Sequence, residues 1–212
     1  MNKKDRKLAS AEQKRKADFE RICEDMEQKG YLKKNLTVGV LKANIMAVIV
    51  MLPLVVVAFV AYLMINPIDS IKFFISFPED IVFFAAFILL VILHEAIHGL
   101  TWGIFAKGHR KAIAFGFIWK MLTPYCTCTE PLAKWQYIVG GSMPTLVLGF
   151  APAAVAVVMG DFGLLLLSAV MMISGGGDFF IIFKMLLNKP LNHDVLYYDH
   201  PYECGVVAFE RR

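Results

Sequence analysis

The hydrophobic positions of the chain gather into four long apolar stretches that are separated by shorter polar links. A helix needs about 20 mainly apolar residues to cross a hydrocarbon core of roughly 30 Å. Every stretch reaches that length, so the pattern predicts an all-α integral membrane protein with about four transmembrane helices. The predicted spans are residues 44–65, 81–105, 137–159 and 162–187.

The polar segment before the first span has the pattern of one amphipathic helix on the cytoplasmic side. Its apolar residues recur at helical spacing, and Gly30 fits the C-terminal end of the helix. We expect this apolar stripe to pack on the membrane surface or on the basic loop that follows the second span. The stripe consists of Phe19, Ile22, Cys23 and Met26.

Basic residues alternate between the links and predict the orientation of the spans. Residues 1–43 hold 12 Lys and Arg and the link 107–136 holds five, whereas the link 66–80 holds one. Because basic loops stay in the cytoplasm, both termini are predicted to be cytoplasmic, in a multi-pass protein of the cell membrane. The predicted parts are a cytoplasmic segment (1–43), a membrane core (44–190) and a cytoplasmic tail (191–212).

Composition supports the membrane assignment and limits the other functions. Only 19% of the residues are charged, where a soluble domain would carry about a quarter. The net charge of +4 follows the topology pattern, so it does not indicate nucleic-acid binding. All four cysteines fall on the predicted cytoplasmic side, where thiols stay reduced. The pair Cys126 and Cys128 lacks the CxxC spacing of a zinc ribbon and is interpreted as structural.

The second span carries the motif His94-Glu95-Ala96-Ile97-His98, which is HExxH. Residues at i and i+4 lie on one helix face, so both imidazoles can bind one metal ion. Ionisable groups at membrane depth are costly and are usually functional. The motif therefore predicts a metal site in which His94 and His98 are ligands and Glu95 is the catalytic acid and base.

Asp178 is the best candidate for a third ligand, because catalytic zinc normally has three protein ligands and one open position. Counting helical rise from the outer ends of spans two and four places it at the level of the two histidines. The alternatives are an aspartate that faces a water-filled crevice or one that pairs with Lys184. Three histidines outside the spans are weaker candidates: His109, His193 and His200.

The chemistry expected of such a site is hydrolysis of an amide bond. Zinc held by two neutral histidines and a carboxylate activates a water molecule and polarises a carbonyl group. Glu95 would accept the proton of that water and return it to the leaving amine. The predicted substrate is a membrane protein or a membrane-associated peptide, and the other expected partner is the lipid bilayer.

Residues 111–129 are apolar and partly β-branched or aromatic, yet they are interrupted too often for a fifth span. One interpretation is a re-entrant hairpin between spans two and three, buried against protein, whose free edge pairs with an extended substrate. The other is an interfacial loop that covers the site. The sequence favours neither.

The combined motifs resemble the bacterial zincin peptidases, small membrane proteins distantly similar to site-2 intramembrane metalloproteases. The resemblance runs from about Gly30 onward and rests on HEAIHGL at 94–100, SGGGD at 174–178 and the closing Asp199-His200-Pro201. It implies a membrane zinc metallopeptidase with His94, His98 and Asp178 as ligands. Site-2 proteases usually carry an Asp-Gly pair, whereas Asp178 is followed by Phe179.

The main alternative is a non-enzymatic metal-binding membrane protein, either an accessory subunit or a component of a transporter. A transporter would spread polar groups along a pathway and would often contain repeated halves. Here the ionisable residues of the spans gather at one level, and the first span has none. A scaffold derived from a protease is a further alternative, against which the intact Glu95 argues.

Overall fold

The computed structural model describes residues 10–68, 77–118, 123–190, 192–201 and 203–212, and it is mostly helical. Its α-helices are α1 (Ser10–Gln28), α2 (Val40–Ile65), α3 (Phe77–Phe105), α4 (Lys134–Thr145), α5 (Ala151–Met159), α6 (Phe162–Ser174) and α7 (Gly176–Leu187).

The helices agree with the predicted spans. In the described part of the chain, three helical segments are long and apolar enough to cross a membrane: α2, α3 and the continuous stretch from α4 to α5. The helices α6 and α7 meet at an angle of 43° and make a fourth span if they are counted together. A π-helical turn at Leu146–Phe150 joins α4 to α5, directly after Pro144. Proline removes a backbone donor, so the helix changes its winding there.

The chain also folds into β-structure, and the prediction of an all-α protein was wrong in this respect. Four antiparallel strands form one sheet in the order β1-β6-β5-β4, and β2 pairs with β3 as a hairpin. The tail contains several β-branched and aromatic residues, which favour strands. Its partner β1 lies far away in the sequence, so the pairing leaves no local pattern. The strands are β1 (Tyr31–Val38), β2 (Ile113–Ile118), β3 (Thr123–Cys128), β4 (Leu132–Ala133), β5 (Val195–Asp199) and β6 (Cys204–Arg211).

Helix α1 packs its apolar stripe on the four-stranded sheet, whereas the sequence predicted the membrane surface or the basic loop as its partner. Phe19 and Met26 are buried against the sheet residues Tyr198, Val207 and Phe209. The helix ends before Gly30, whose φ of +84° is the left-handed conformation that glycine adopts at helix ends. The sheet thus supplies the apolar surface that the stripe covers.

The same helix is tied to the β2–β3 hairpin, which follows the second span. The guanidinium of Arg15 donates to the Tyr125 hydroxyl of β3 at 2.5 Å and also to the Pro201 carbonyl. The amphipathic segment, the tail and the loop between spans two and three therefore form one connected layer. The division of the chain at residues 43 and 190 stays a prediction, but the β1–β6 pairing joins the two outer parts directly.

Candidate metal centre

Helix α3 carries both histidines of the HExxH motif on its inward face. His94 is 5% exposed and His98 is 3% exposed, and their ring centroids are 4.8 Å apart. The four-residue spacing places one imidazole above the other on the helix. The indole of Trp102, one further turn along, stacks on His98 with centroids 4.8 Å apart and an angle of 15° between the planes. The stacked indole of Trp102 therefore limits the orientations that the His98 ring can adopt.

Asp178 reaches the histidines from the first turn of α7, just after the glycine break. Gly175 and Gly176 allow that break to pack closely on two neighbouring helices. A Cβ at Gly175 would lie 1.8 Å from Thr145 Oγ1 on α4, and one at Gly176 would lie 2.5 Å from the Ala47 carbonyl oxygen on α2. Gly175 and Gly176 are thus packing residues, and they allow α7 to approach the histidines.

The three side chains meet at one point. His94 Nε2 and His98 Nε2 are 3.2 Å apart, and Asp178 Oδ2 is 3.3 Å from the first and 3.4 Å from the second. A tetrahedral ion with bonds of about 2.0–2.1 Å separates its ligand atoms by roughly 3.3–3.4 Å. The three donor atoms therefore have the spacing of three corners of such a tetrahedron, and within the described residues they form a group that could hold a metal ion.

The predicted alternative for Asp178, an ion pair with Lys184, is absent from the structure. Lys184 lies two turns further along α7 and donates to the carbonyl oxygens of Leu36 and Thr37 in β1, at 2.9 Å in each case. The ammonium group of Lys184 is thus bound to backbone carbonyls at the end of β1. Asp178 is left to the two imidazoles.

The segment between spans two and three is a β-hairpin that lies against the motif helix. Gly99, the residue after His98, marks the contact: a Cβ there would lie 2.6 Å from the Phe115 ring and 3.2 Å from Cys126 Sγ. A hairpin is therefore present next to the site, as the first interpretation expected, and it also covers the motif helix, as the second did. Its depth in a membrane stays a prediction.

The outer edge of β3 faces acidic side chains. In an antiparallel pair, every second residue turns its N–H away from the partner strand. Cys126 and Cys128 are two such residues. The N–H of Cys128 donates to Asp199 Oδ2 at 3.0 Å, and the backbone of Cys126 lies close to the Glu95 carboxylate. Glu95 is thus held between the motif helix and the hairpin, beside the three donor atoms.

The weaker candidates from the sequence lie elsewhere. The imidazole of His109 bonds the Gly103 carbonyl through Nδ1 at 3.1 Å, and His193 is exposed on the surface. His200 accepts from the Glu203 N–H at 3.0 Å and packs its ring edge-on to Phe19. None of these three belongs to the group of donor atoms found in the described part of the chain.

The cysteine pair is structural, as interpreted from its spacing. Cys126 and Cys128 are free thiols in β3, packed between the hairpin, α3 and the tail. Burial raises the pKa of the Cys126 thiol and raises that of Cys128 to about 12, so both remain protonated near neutral pH.

Sequence reasoning missed the groups that support the donor atoms. The carboxylate of Asp199, in the tail, accepts from the Tyr137 hydroxyl at 2.5 Å and thereby joins β5 to α4. His98 Nδ1 lies 2.8 Å from the Gly140 carbonyl oxygen of α4. The β-branched and aromatic residues of the tail could have indicated a strand, and a proline four residues after Gly140 could have indicated a free carbonyl.

The comparisons with known proteins identify one family. The model of the family described as "Putative zincin peptidase" matches residues 87–193, half of the 212-residue chain. The match contains the HExxH motif, the hairpin and Asp178. No curated protein and no solved structure matches the chain.

Proposed function

The chain belongs to the zincin peptidase family, and from that premise we propose that it is a membrane-embedded zinc metallopeptidase. Its proposed reaction is hydrolysis of a peptide bond in a membrane protein or a membrane-associated peptide. The spans predict a place in the cell membrane with both termini in the cytoplasm. Two observations support this proposal. The family match indicates a zinc peptidase, and three helices in the described part of the chain are long and apolar enough to cross a membrane.

The observation that carries the proposal is the triangle of donor atoms from His94, His98 and Asp178. Its sides of 3.2–3.4 Å suit a tetrahedral zinc ion, and two imidazoles with one carboxylate are a donor set that zinc favours. The proposed zinc ligands are therefore these three residues. When bound, zinc supplies Lewis acidity for amide hydrolysis.

Glu95 is the proposed catalytic acid and base. It follows His94 on α3, and its carboxylate faces the backbone of Cys126 in the hairpin, beside the donor atoms. A carboxylate in this place can take a proton from water and return it to the leaving amine. The hairpin contact limits the directions in which Glu95 can turn and keeps it next to the reacting groups.

The hairpin is the proposed docking element for the substrate. The Cys128 N–H donates to Asp199 and Cys126 lies beside Glu95, so this part of the β3 edge is already covered. On the outer edge of β2, the backbone groups of Phe115 turn away from β3, whereas the N–H of Ile113 donates to the Arg110 carbonyl. An unwound substrate segment can add to such an edge by strand pairing, with its main chain beside the site.

The first experiment measures zinc content in the detergent-purified chain. We expect about one zinc per chain in the wild type, loss of zinc in His94→Ala and in Asp178→Ala, and retention in Glu95→Gln. His193→Ala, which alters an exposed histidine of the tail, is the matched control and should keep its zinc. A wild type that takes up no zinc when zinc is supplied would refute the proposal.

The second experiment separates a peptidase from a non-enzymatic metal-binding protein. Wild type and Glu95→Gln are reconstituted in vesicles with a library of single-span peptides, and fragments are identified by mass spectrometry. We expect fragments from the wild type and none from the zinc-loaded variant. Zinc binding without cleavage in either protein would favour an accessory subunit or a transporter component.

A further inference from the structure

The imidazole of His98 is held by a backbone carbonyl on its far side. Nδ1 lies 2.8 Å from the carbonyl oxygen of Gly140, and a carbonyl only accepts. Nδ1 must therefore carry a hydrogen, and in the neutral imidazole this leaves the lone pair of Nε2 directed at His94 and Asp178. Such a second contact fixes both the tautomer and the ring plane of a metal-binding histidine.

The Gly140 carbonyl is available because of the residue one turn later. In an α-helix the carbonyl of residue i accepts from the N–H of residue i+4, and here that residue is Pro144. Proline has no N–H, and its ring crowds the carbonyl at i−4. Both Gly140 and Pro144 are buried in α4. The proline thus leaves the buried Gly140 carbonyl without its usual helical donor, and Nδ1 of His98 donates to this carbonyl instead.

Glycine at position 140 brings that carbonyl close enough to His98. A Cβ there would lie 2.0 Å from Cδ1 of Trp102, the ring that stacks on His98. The indole is itself fixed, because its N–H donates to the Tyr137 carbonyl of α4 at 3.3 Å. A side chain at 140 would push α3 and α4 apart and would lengthen the bond between His98 and the carbonyl.

The arrangement is specific to one of the two histidines. Within the described part of the chain, His94 Nδ1 is buried and has no hydrogen-bond partner. Pro152 is a second proline of the same span, at the start of α5, and it is only partly buried. It offers a control substitution of the same type in the same membrane segment, away from His98.

We propose that Gly140 and Pro144 position His98: the missing N–H of Pro144 keeps the Gly140 carbonyl free, and this carbonyl fixes the tautomer and orientation in which His98 binds metal. The inference rests on the proposed function, since it assumes a metal site. Both are positioning residues, because they act through His98 and contact neither the metal nor a substrate.

Zinc affinity of the detergent-purified full chain tests the proposal, measured by competition with a chromophoric chelator. In Pro144→Ala the restored N–H competes for the Gly140 carbonyl, and we expect zinc affinity to fall about 10–100-fold. The metal-free variant should unfold at the same temperature or higher, because alanine suits a helix interior better than proline. Pro152→Ala should bind zinc like the wild type.

The outcomes keep this inference apart from the proposed function. A wild type without zinc affinity refutes the metal site itself. A wild type that binds zinc, with Pro144→Ala binding equally well, overturns only the positioning role. If Pro144→Ala fails to fold, the ¹⁵N histidine spectrum of the metal-free wild type decides, with His98 assigned from a His98→Gln variant. A hydrogen on Nδ1 supports the proposal, and a hydrogen on Nε2 with none on Nδ1 overturns it.

Discussion

The four-stranded sheet buries its apolar side chains, whereas the long apolar helices expose theirs. Residues 206–209 of β6 are all 0% exposed, whereas Met64 of α2 is 82% exposed and Val158 of α5 is 79% exposed. The sheet covers its apolar groups with α1 and with its own neighbours, which is the arrangement that the hydrophobic effect favours in water. The helices leave theirs outward, as lipid-facing spans do. Each region is therefore stable for a different reason.

The candidate metal centre lies where these two regions meet. Asp199, the last residue of β5, accepts from the Tyr137 hydroxyl of α4 and from the Cys128 N–H of β3. Through these two bonds the sheet holds the helix that orients His98 and the hairpin that faces Glu95. A change in the sheet can thus reach the site without altering any of its donor atoms.

The largest expected effect comes from removing the same ring in each region. Phe209 is 0% exposed in β6 and Phe84 is 67% exposed on α3. Phe209→Ala should lower the free energy of unfolding by about 3–5 kcal/mol, because it leaves a cavity in the sheet core. Phe84→Ala should leave it nearly unchanged, since lipid or detergent fills the space. Thermal unfolding of both variants in detergent measures the difference, and equal losses would contradict the comparison.

A middle-sized effect is expected where the regions join. Asp199→Asn keeps the shape of the side chain but turns an acceptor into a donor at one of its two partners, the Tyr137 hydroxyl or the Cys128 N–H. An unsatisfied buried group costs about 1–3 kcal/mol, which unfolding measurements should detect. Peptidase turnover should fall while zinc stays bound. Unchanged stability and turnover would show that the sheet and the site are independent.

The contribution of Asp199 to the free energy of unfolding depends on pH with a defined sign. Burial raises the pKa of Asp199 above its ordinary value, while the pKa of its neighbour Cys128 is about 12 and leaves that thiol neutral. The stabilising contribution is complete below the ordinary aspartate pKa and declines as pH rises through the raised value. Asp199→Asn should lack this decline when its unfolding temperature is followed from about pH 4 to 8.

The smallest effect is expected at the surface of the sheet. Asp194 accepts from Arg211 at 2.9 Å and from the Tyr31 hydroxyl at 3.0 Å, and these contacts lower its pKa. The stabilising contribution of Asp194 is present above the ordinary aspartate pKa and is lost as pH falls through its lowered pKa. This pH dependence is opposite in sign to that of Asp199. Asp194→Asn should shift the unfolding temperature only slightly, and less at high salt. A shift as large as that of Asp199→Asn would contradict this ranking.

The donor atoms of the candidate site were predictable because their signal is local. The spacing of His94 and His98 places them on one helix face, and an aspartate in an apolar span calls for a partner. The helical rise placed Asp178 at the same level, and the structure brings the three together. The orienting contact from Gly140 lies 42 residues from His98, so no local pattern joins the two.

The sheet was missed for a related physical reason. The pairing of Tyr31 with Arg211 joins residues from opposite ends of the chain, and strand pairing of this kind is decided by tertiary packing. The stripe of α1 showed correctly that a helix needs an apolar partner. It could not show which surface that partner is, because a sheet and a membrane surface satisfy the same stripe.

The sequence by itself determined the apolar spans, the HExxH motif and its third candidate ligand, because length, composition and helical spacing act within a few residues of one another. Only the tertiary structure decided that the two ends of the chain form one sheet and that Asp199 joins it to the hairpin and α4. It also decided that the carbonyl freed by Pro144 meets His98. These contacts depend on which helices and strands pack side by side, and that follows from the burial of the whole chain.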